Sequence, residues 1–217
     1  MACRWLRTMN AIRSCSVRSS REEFTMSLGF YFDGTRCAGC KSCQVACKDR
    51  FDLQVAGPRT RRVTTCETGS FPHSKLFHTS ISCNHCDEPA CVSNCPTGAM
   101  YKDEDGTVQH SDELCIGCQM CVMACPYHAP QYNEDDRVVV KCDTCRPLRE
   151  AGMNPVCVDA CPMRALDFGE MSDLAAWYGS DAVNELPCMP NASVTHPNVL
   201  FKVKDAANSE EFREVAL

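Results

Sequence analysis

Sixteen of the twenty cysteines in this 217-residue chain stand in four groups that share one spacing rule, and that rule restricts the fold more than any other feature. The first group is Cys37-x2-Cys40-x2-Cys43-x3-Cys47, followed by Lys48, and the third repeats it as Cys115-x2-Cys118-x2-Cys121-x3-Cys125 before Pro126. The second widens one interval, giving Cys83-x2-Cys86-x4-Cys91-x3-Cys95 before Pro96. The fourth widens the same interval further, giving Cys142-x2-Cys145-x11-Cys157-x3-Cys161 before Pro162. Cys3, Cys15, Cys66 and Cys188 fall outside the rule and read as free thiols.

The rule has a physical cause. Three cysteines on a tight loop can hold three corners of one iron–sulfide cube, while a cysteine one helical turn further on points away and serves a neighbouring cluster. Small residues such as Ala38, Gly39 and Gly117 let backbone amides approach the sulfur atoms, and the prolines after the last cysteines end the short helices. A zinc-binding interaction module is the rival from another class, since single C-x2-C pairs also serve zinc. Zinc, however, takes its cysteines two and two, and three thiolates crowded on one loop fit separate tetrahedral sites poorly. Disulfides across such tight loops would be strained.

Apolar residues make up 44% of the chain, a figure that includes the cysteines. Without them it falls to roughly a third, too little for a core that stabilises itself without metal or covalent staples. The formal charge of −6 would become about −14 with four cubanes at about −2 each, which argues against nucleic acid as a partner. No stretch approaches the roughly eighteen apolar residues that span a bilayer, so membrane association is expected only through partner subunits. Residues 1–26 carry arginines but neither a twin-arginine pair nor an apolar signal region. They read as a disordered extension or a start-site artefact, the alternative being a basic docking tail.

Short strands are expected at 30–32, 138–141 and 166–168, with one-turn helices opening near Ser42, Ala90, Gln119 and Val156. Residues 57–79 read as an inserted hairpin about Gly69-Ser70, 206–217 as a polar tail, and 171–178 as a surface helix capped by Ser172 or Asp173. Arg36, Lys41, Lys48, Lys141, Arg146 and Arg164 flank the cysteines and are candidates to offset cluster charge, a solvated basic rim being the plain alternative. The histidines, at 73, 78, 85, 110, 128 and 196, read as ordinary structural residues, although His85 sits inside the second group.

Beyond the cysteines, the sequence is similar to the four-cluster iron–sulfur subunits of the dimethyl sulfoxide reductase family of molybdopterin oxidoreductases. The likeness runs from about residue 29 to 203. It is carried by Gly29-Phe30-Tyr31-Phe32-Asp33, Cys37 to Lys48-Asp49, Ile81-Ser82-Cys83-Asn84-His85-Cys86, Cys115-Ile116-Gly117-Cys118, Ala124-Cys125-Pro126, Ala129-Pro130-Gln131-Tyr132-Asn133 and Arg164-Ala165-Leu166-Asp167-Phe168-Gly169. The resemblance implies an α+β fold of two ferredoxin-like lobes, with small sheets, short helices and much loop. One lobe is built from 27–56 plus 138–205 on the first and fourth groups, the other from 80–137 on the second and third.

The resemblance further implies four [4Fe–4S] clusters held by four cysteine sets. Set one is Cys37, Cys40, Cys43 and Cys161; set two is Cys47, Cys142, Cys145 and Cys157; set three is Cys83, Cys86, Cys91 and Cys125; set four is Cys95, Cys115, Cys118 and Cys121. Some relatives in nitrate reductases carry tryptophan at the position of Cys118 and hold a three-iron cluster, so cysteine here implies a full cubane. The expected function is electron transfer, without an independent catalytic site or a bound substrate. The protein would relay electrons between an integral membrane quinol-oxidising subunit and a molybdopterin catalytic subunit. Alternatives in the same class are the equivalent subunits of tetrathionate or polysulfide reductase, formate dehydrogenase or hydrogenase. Which side of the membrane the protein faces leaves no mark in the sequence.

Overall fold

A computed structural model describes residues 27–216, so the reading of residues 1–26, with Cys3 and Cys15, lies outside the described residues. The aromatic segment near the start forms strand β1 (Leu28–Asp33), which is buried along nearly its whole length. It lies between β8 (Leu166–Glu170), antiparallel, and β9 (Val199–Lys202), parallel. A strand flanked on both sides and packed on both faces suits Phe30, Tyr31 and Phe32, each at most 4% exposed.

Helix α1 (Ser42–Arg50) carries Cys43 and Cys47 on its buried side and packs on α5 (Val156–Asp159), which carries Cys157. It runs for nine residues rather than the expected single turn because Lys48, not proline, follows Cys47. The second and third groups lie on the shorter helices α2 (Ala90–Ser93) and α3 (Met120–Ala124), which pack on each other. Around them stand two small antiparallel pairs, β4 (Met100–Lys102) with β5 (Val108–His110) and β6 (Gln131–Asn133) with β7 (Val138–Val140). The pieces make an α+β fold of small sheets and short helices.

Three expectations need correction. The inserted hairpin lies further along the sequence than expected, with β2 (Arg61–Thr68) paired to β3 (Lys75–Ser82), and its base reaches into the core. Part of the segment read as a polar tail is structured, since β10 (Arg213–Val215) adds a third strand against β2 and Ala206 and Ala207 are buried. Helix α6 (Met171–Tyr178) forms where expected, but Glu170 is its N-cap and no side chain caps it; Leu174, 0% exposed, anchors it instead. The long fourth-group spacer also folds an unforeseen helix, α4 (Arg146–Glu150), with Pro147 in its first turn.

Candidate metal centres

Each cysteine loop is shaped by left-handed backbone at fixed places. The residue two after the first cysteine of each group has positive φ: Gly39, His85, Gly117 and Thr144. This turn aims an amide inward, and the Gly39 and Thr144 N–H groups donate to the Sγ atoms of Cys37 and Cys142, both at 3.4 Å. Gly39 is also sterically required, because a Cβ there would lie 2.7 Å from the His78 ring. His85 and Thr144 adopt the same backbone with a side chain, a conformation that persists only where the surroundings hold it, and both are fully buried.

A second device follows the last cysteine. Where proline comes next, the residue three beyond the cysteine is left-handed: Gly98, His128 and Arg164. The backbone doubles back, so that the N–H groups of Met100, Ala129 and Ala165 donate to the sulfurs of Cys95, Cys125 and Cys161 at 3.4, 3.5 and 3.3 Å. Cys47, inside a continuing helix, has no such turn after it.

The cysteines come together across groups. One cavity is lined by Cys37, Cys40, Cys43 and Cys161 together with Phe32, Val63 and Leu166. A second is lined by Cys83, Cys86, Cys91 and Cys125 with Asn84, Val108 and Tyr127. Cys47 lies beside Cys157, and Arg61 is a charged neighbour of both; Cys142 and Cys145 also lie near Cys157. Cys121 lies close to Cys95 and Cys115, all three in one small core with Met100 and Val139, while Cys118 is exposed.

Neighbouring sets touch in order. Cys43 lies near Cys157, Cys142 near Cys83, and Cys91 shares the small core of Cys121. The two exposed cysteines of the sixteen, Cys40 and Cys118, belong to the outermost sets.

Burial and hydrogen bonding set the thiols apart. Loss of water pushes Cys86, Cys91 and Cys142 up to about 12, so each would hold its proton unless a metal ion replaced it. At the exposed end the Ser42 hydroxyl and amide hold Cys40 below the ordinary thiol range. Cys95 is also lowered, because bonds from the Met100 amide and from Thr97 outweigh its partial burial. The close approach of Cys47 and Cys157 keeps the Cys47 proton on and favours the thiolate of Cys157.

The donor set fits iron–sulfur clusters on three observations. Four thiols line each of two cavities. Backbone amides already aim at the sulfurs. Buried N–H donors without an acceptor lie beside cysteines: Asn84 Nδ2 in the wall of the second cavity, His85 Nε2 and Arg61 Nε. Orphan donors at a void are what an inorganic sulfide would satisfy.

Of the six flanking cations expected to offset cluster charge, Lys141 alone is buried, donating to the carbonyls of Val108 and Cys142. Lys48 reaches the Val55 carbonyl, Arg36 the Arg164 carbonyl, and Arg146 pairs with Asp103 and Glu150. Sequence reasoning missed Arg61, Ser80 and Thr195. Ser80 and Thr195 bring hydroxyls to Cys43 and Cys86, at 3.4 and 3.2 Å, from 37 and 109 residues away. No local spacing could have signalled them. Cys66 belongs to a separate small core with Phe77, and Cys188 packs against both that core and the main one.

Fold and site together define a ferredoxin-type carrier of [4Fe–4S] clusters. Residues 74–171 match the family described as 4Fe-4S dicluster domain, and residues 35–51 the one described as 4Fe-4S binding domain. The sequence is 45% identical over 183 residues to the B subunit of anaerobic dimethyl sulfoxide reductase from Haemophilus influenzae, covering 80% of this protein and 88% of that one. It is 44% identical to the corresponding Escherichia coli subunit, covering 82% and 89%. The thiosulfate reductase electron transfer subunit PhsB of Salmonella typhi is 41% identical, covering 70% and 81%. The protein therefore belongs to the family of iron–sulfur electron-transfer subunits, the B subunits, of dimethyl sulfoxide reductase-type anaerobic reductases.

Proposed function

We propose that this subunit holds four [4Fe–4S] clusters on the four cysteine sets and passes electrons one at a time along them. In this reading it links an integral membrane quinol-oxidising subunit to a molybdopterin catalytic subunit that reduces dimethyl sulfoxide or a related compound. The observation that supports it best is the order of contacts. Set one meets set two, set two meets set three and set three meets set four, with exposed sulfurs at the two ends alone.

Bound clusters supply centres that accept and release single electrons. The protein's own residues do the rest. The cysteine loops fix the spacing, Phe32, Val63 and Leu166 keep water from the first cavity, and Val108 and Tyr127 do so at the second. The amides of residues 39, 100, 129, 144 and 165 stabilise negative sulfur. No described helix is long and apolar enough to cross a membrane, so attachment falls to the partner. The thiosulfate relative is named for another substrate although it shares the carrier, which suits a choice of substrate made in the catalytic subunit.

Anaerobic purification with the co-purifying subunits identified, and iron and acid-labile sulfide counted, tests this. About sixteen iron atoms per protein molecule and two partner subunits are expected. A stable, iron-replete monomer without partners, or zinc in place of iron, overturns the proposal. So does a stoichiometric three-iron signal in paramagnetic resonance of the oxidised protein.

A further inference from the structure

Arg61 is the largest fully buried side chain among the described residues, 1% exposed, at the base of the inserted hairpin. A buried guanidinium ordinarily faces a carboxylate, because an unpaired buried charge is very costly. Among the described residues none faces this one. Its bonds go to neutral oxygens: Nη1 to the Ser80 carbonyl and hydroxyl at 3.1 and 3.2 Å, and Nη2 to the Ser82 hydroxyl at 3.0 Å. One face covers the Phe30 ring at 4.7 Å, and Nε has no oxygen or nitrogen acceptor.

The charges around it are sulfurs from two different sets: Cys157, Cys47 and Cys142 of set two, and Cys43 of set one. Cys157 feels the guanidinium charge directly, and the Ser80 hydroxyl that Arg61 bonds is itself 3.4 Å from Cys43 Sγ. The side chain thus spans the joint between the first two sets, and two serines, an aromatic face and full burial fix it there.

We infer that Arg61 is the fixed counter-charge shared by the two clusters on sets one and two, and that it raises the reduction potential of both. Each electron adds a negative charge to a cluster, so a cation held beside it in a poorly screened interior favours the reduced form. The effect is larger on set two, which presents three sulfurs to the guanidinium, than on set one, which presents one. No sulfur of sets three and four is among the main charges around it, although His85, in the second cysteine group, also feels it. Arg61 is a positioning and tuning residue: it binds no substrate and is no ligand.

The inference rests on the four-cluster reading, and the test separates the two. Iron counted in the unaltered subunit decides the number of clusters. Potentiometric titration followed by paramagnetic resonance, on the assembled complex, then compares it with Arg61→Gln and Arg61→Lys. Arg61→Gln is expected to lower the set-two potential by at least a tenfold change in the reduction equilibrium, about 59 mV for one electron. Set one should fall by less, and sets three and four least. Arg61→Lys, which keeps the charge, should recover most of the shift. Unchanged potentials in Arg61→Gln, or equal shifts in all four clusters, overturn the inference. If Arg61→Gln loses clusters, retention in Arg61→Lys supports it, because the charge is then what matters. Loss of all four in both variants assigns Arg61 to folding alone and overturns it.

Discussion

The half of the molecule built on the first and fourth cysteine groups and the half built on the second and third solve one problem with different parts. In the second half both helices are short and the backbone turns back after each Cys-Pro, so Cys95 and Cys125 each receive a backbone N–H. In the first half only Cys161 has that turn. Cys47 sits within the longer α1 and depends on Arg61 and Cys157 instead. The cations differ in the same sense: Arg61 forks between two sets, whereas Lys141, at the joint of sets two and three, is a point charge held by two carbonyls. Cys47, the one last cysteine without a following proline, lacks the backbone donor and has the buried Arg61 beside it instead.

The largest expected effect tests whether groups exchange their last cysteines. Cys47→Ser should remove the cluster on Cys142, Cys145 and Cys157, about a quarter of the iron, and leave the one on Cys37, Cys40 and Cys43. Iron analysis with spin counting reads this directly. Loss of the first-group cluster, with the fourth-group cluster intact, would show that each group serves itself and would break the comparison at its root.

Next in size is a contrast between exposed and buried second cysteines. Cys118 is exposed and Cys145 is 4% exposed. Cys118→Ser should shed one iron and leave a three-iron cluster visible in the oxidised protein, since solvent can complete the site. Cys145→Ser places a hydroxyl in a water-poor wall and should lose its cluster entirely. Identical spectra from the two variants would mean that burial does not govern cluster retention.

A third test concerns packing without ligands. Met100 is 1% exposed and packs with Val108 and Val139 among the sulfurs of the second half. Met100→Ala should cost about 2–5 kcal/mol, seen as a lower melting temperature, with clusters on sets three and four bleaching first on heating. Trp177 on α6 is 67% exposed, and its replacement by alanine should leave the melting curve within error.

The cysteine rule made much of this legible from the sequence, because ligand spacing is a local constraint written at fixed intervals. Strand β1, the hairpin and the helix starts at Ser42, Ala90 and Val156 follow from aromatic runs, Gly69-Ser70 and the prolines. What stayed hidden is non-local. Three-residue strands such as β4 and β6 are stabilised by pairing rather than propensity, β9 reaches β1 in parallel from far along the sequence, and β10 reads as polar tail until β2 is beside it. Arg61 was hidden for a related reason. It stands beside Arg62 in a run that looks solvated, and only the pairing of Arg61 with Ser82 across the hairpin turns it inward.

The smallest expected effect asks whether the two halves are joined or merely adjacent. Arg149 of α4 reaches across to Asp105 in the β4–β5 turn at 2.9 Å, donates to the Thr144 carbonyl at 3.1 Å, and lies 5.4 Å from the Phe168 ring. Its side chain is 15% exposed, so salt screens it less than a surface pair. Arg149→Met should cost about 1 kcal/mol, and the loss should persist in high salt. The exposed Arg213–Glu67 pair binds β10 to β2 with equally short geometry, 2.7 Å, yet Arg213 is 75% exposed and Arg213→Ala should not move the melting curve measurably. A cooperative single transition that splits into two in Arg149→Met would show that this one bridge couples the halves. An unaltered single transition would leave the coupling to the buried core that the halves share, in which Cys83 and Cys125 pack with Cys142 and Cys157.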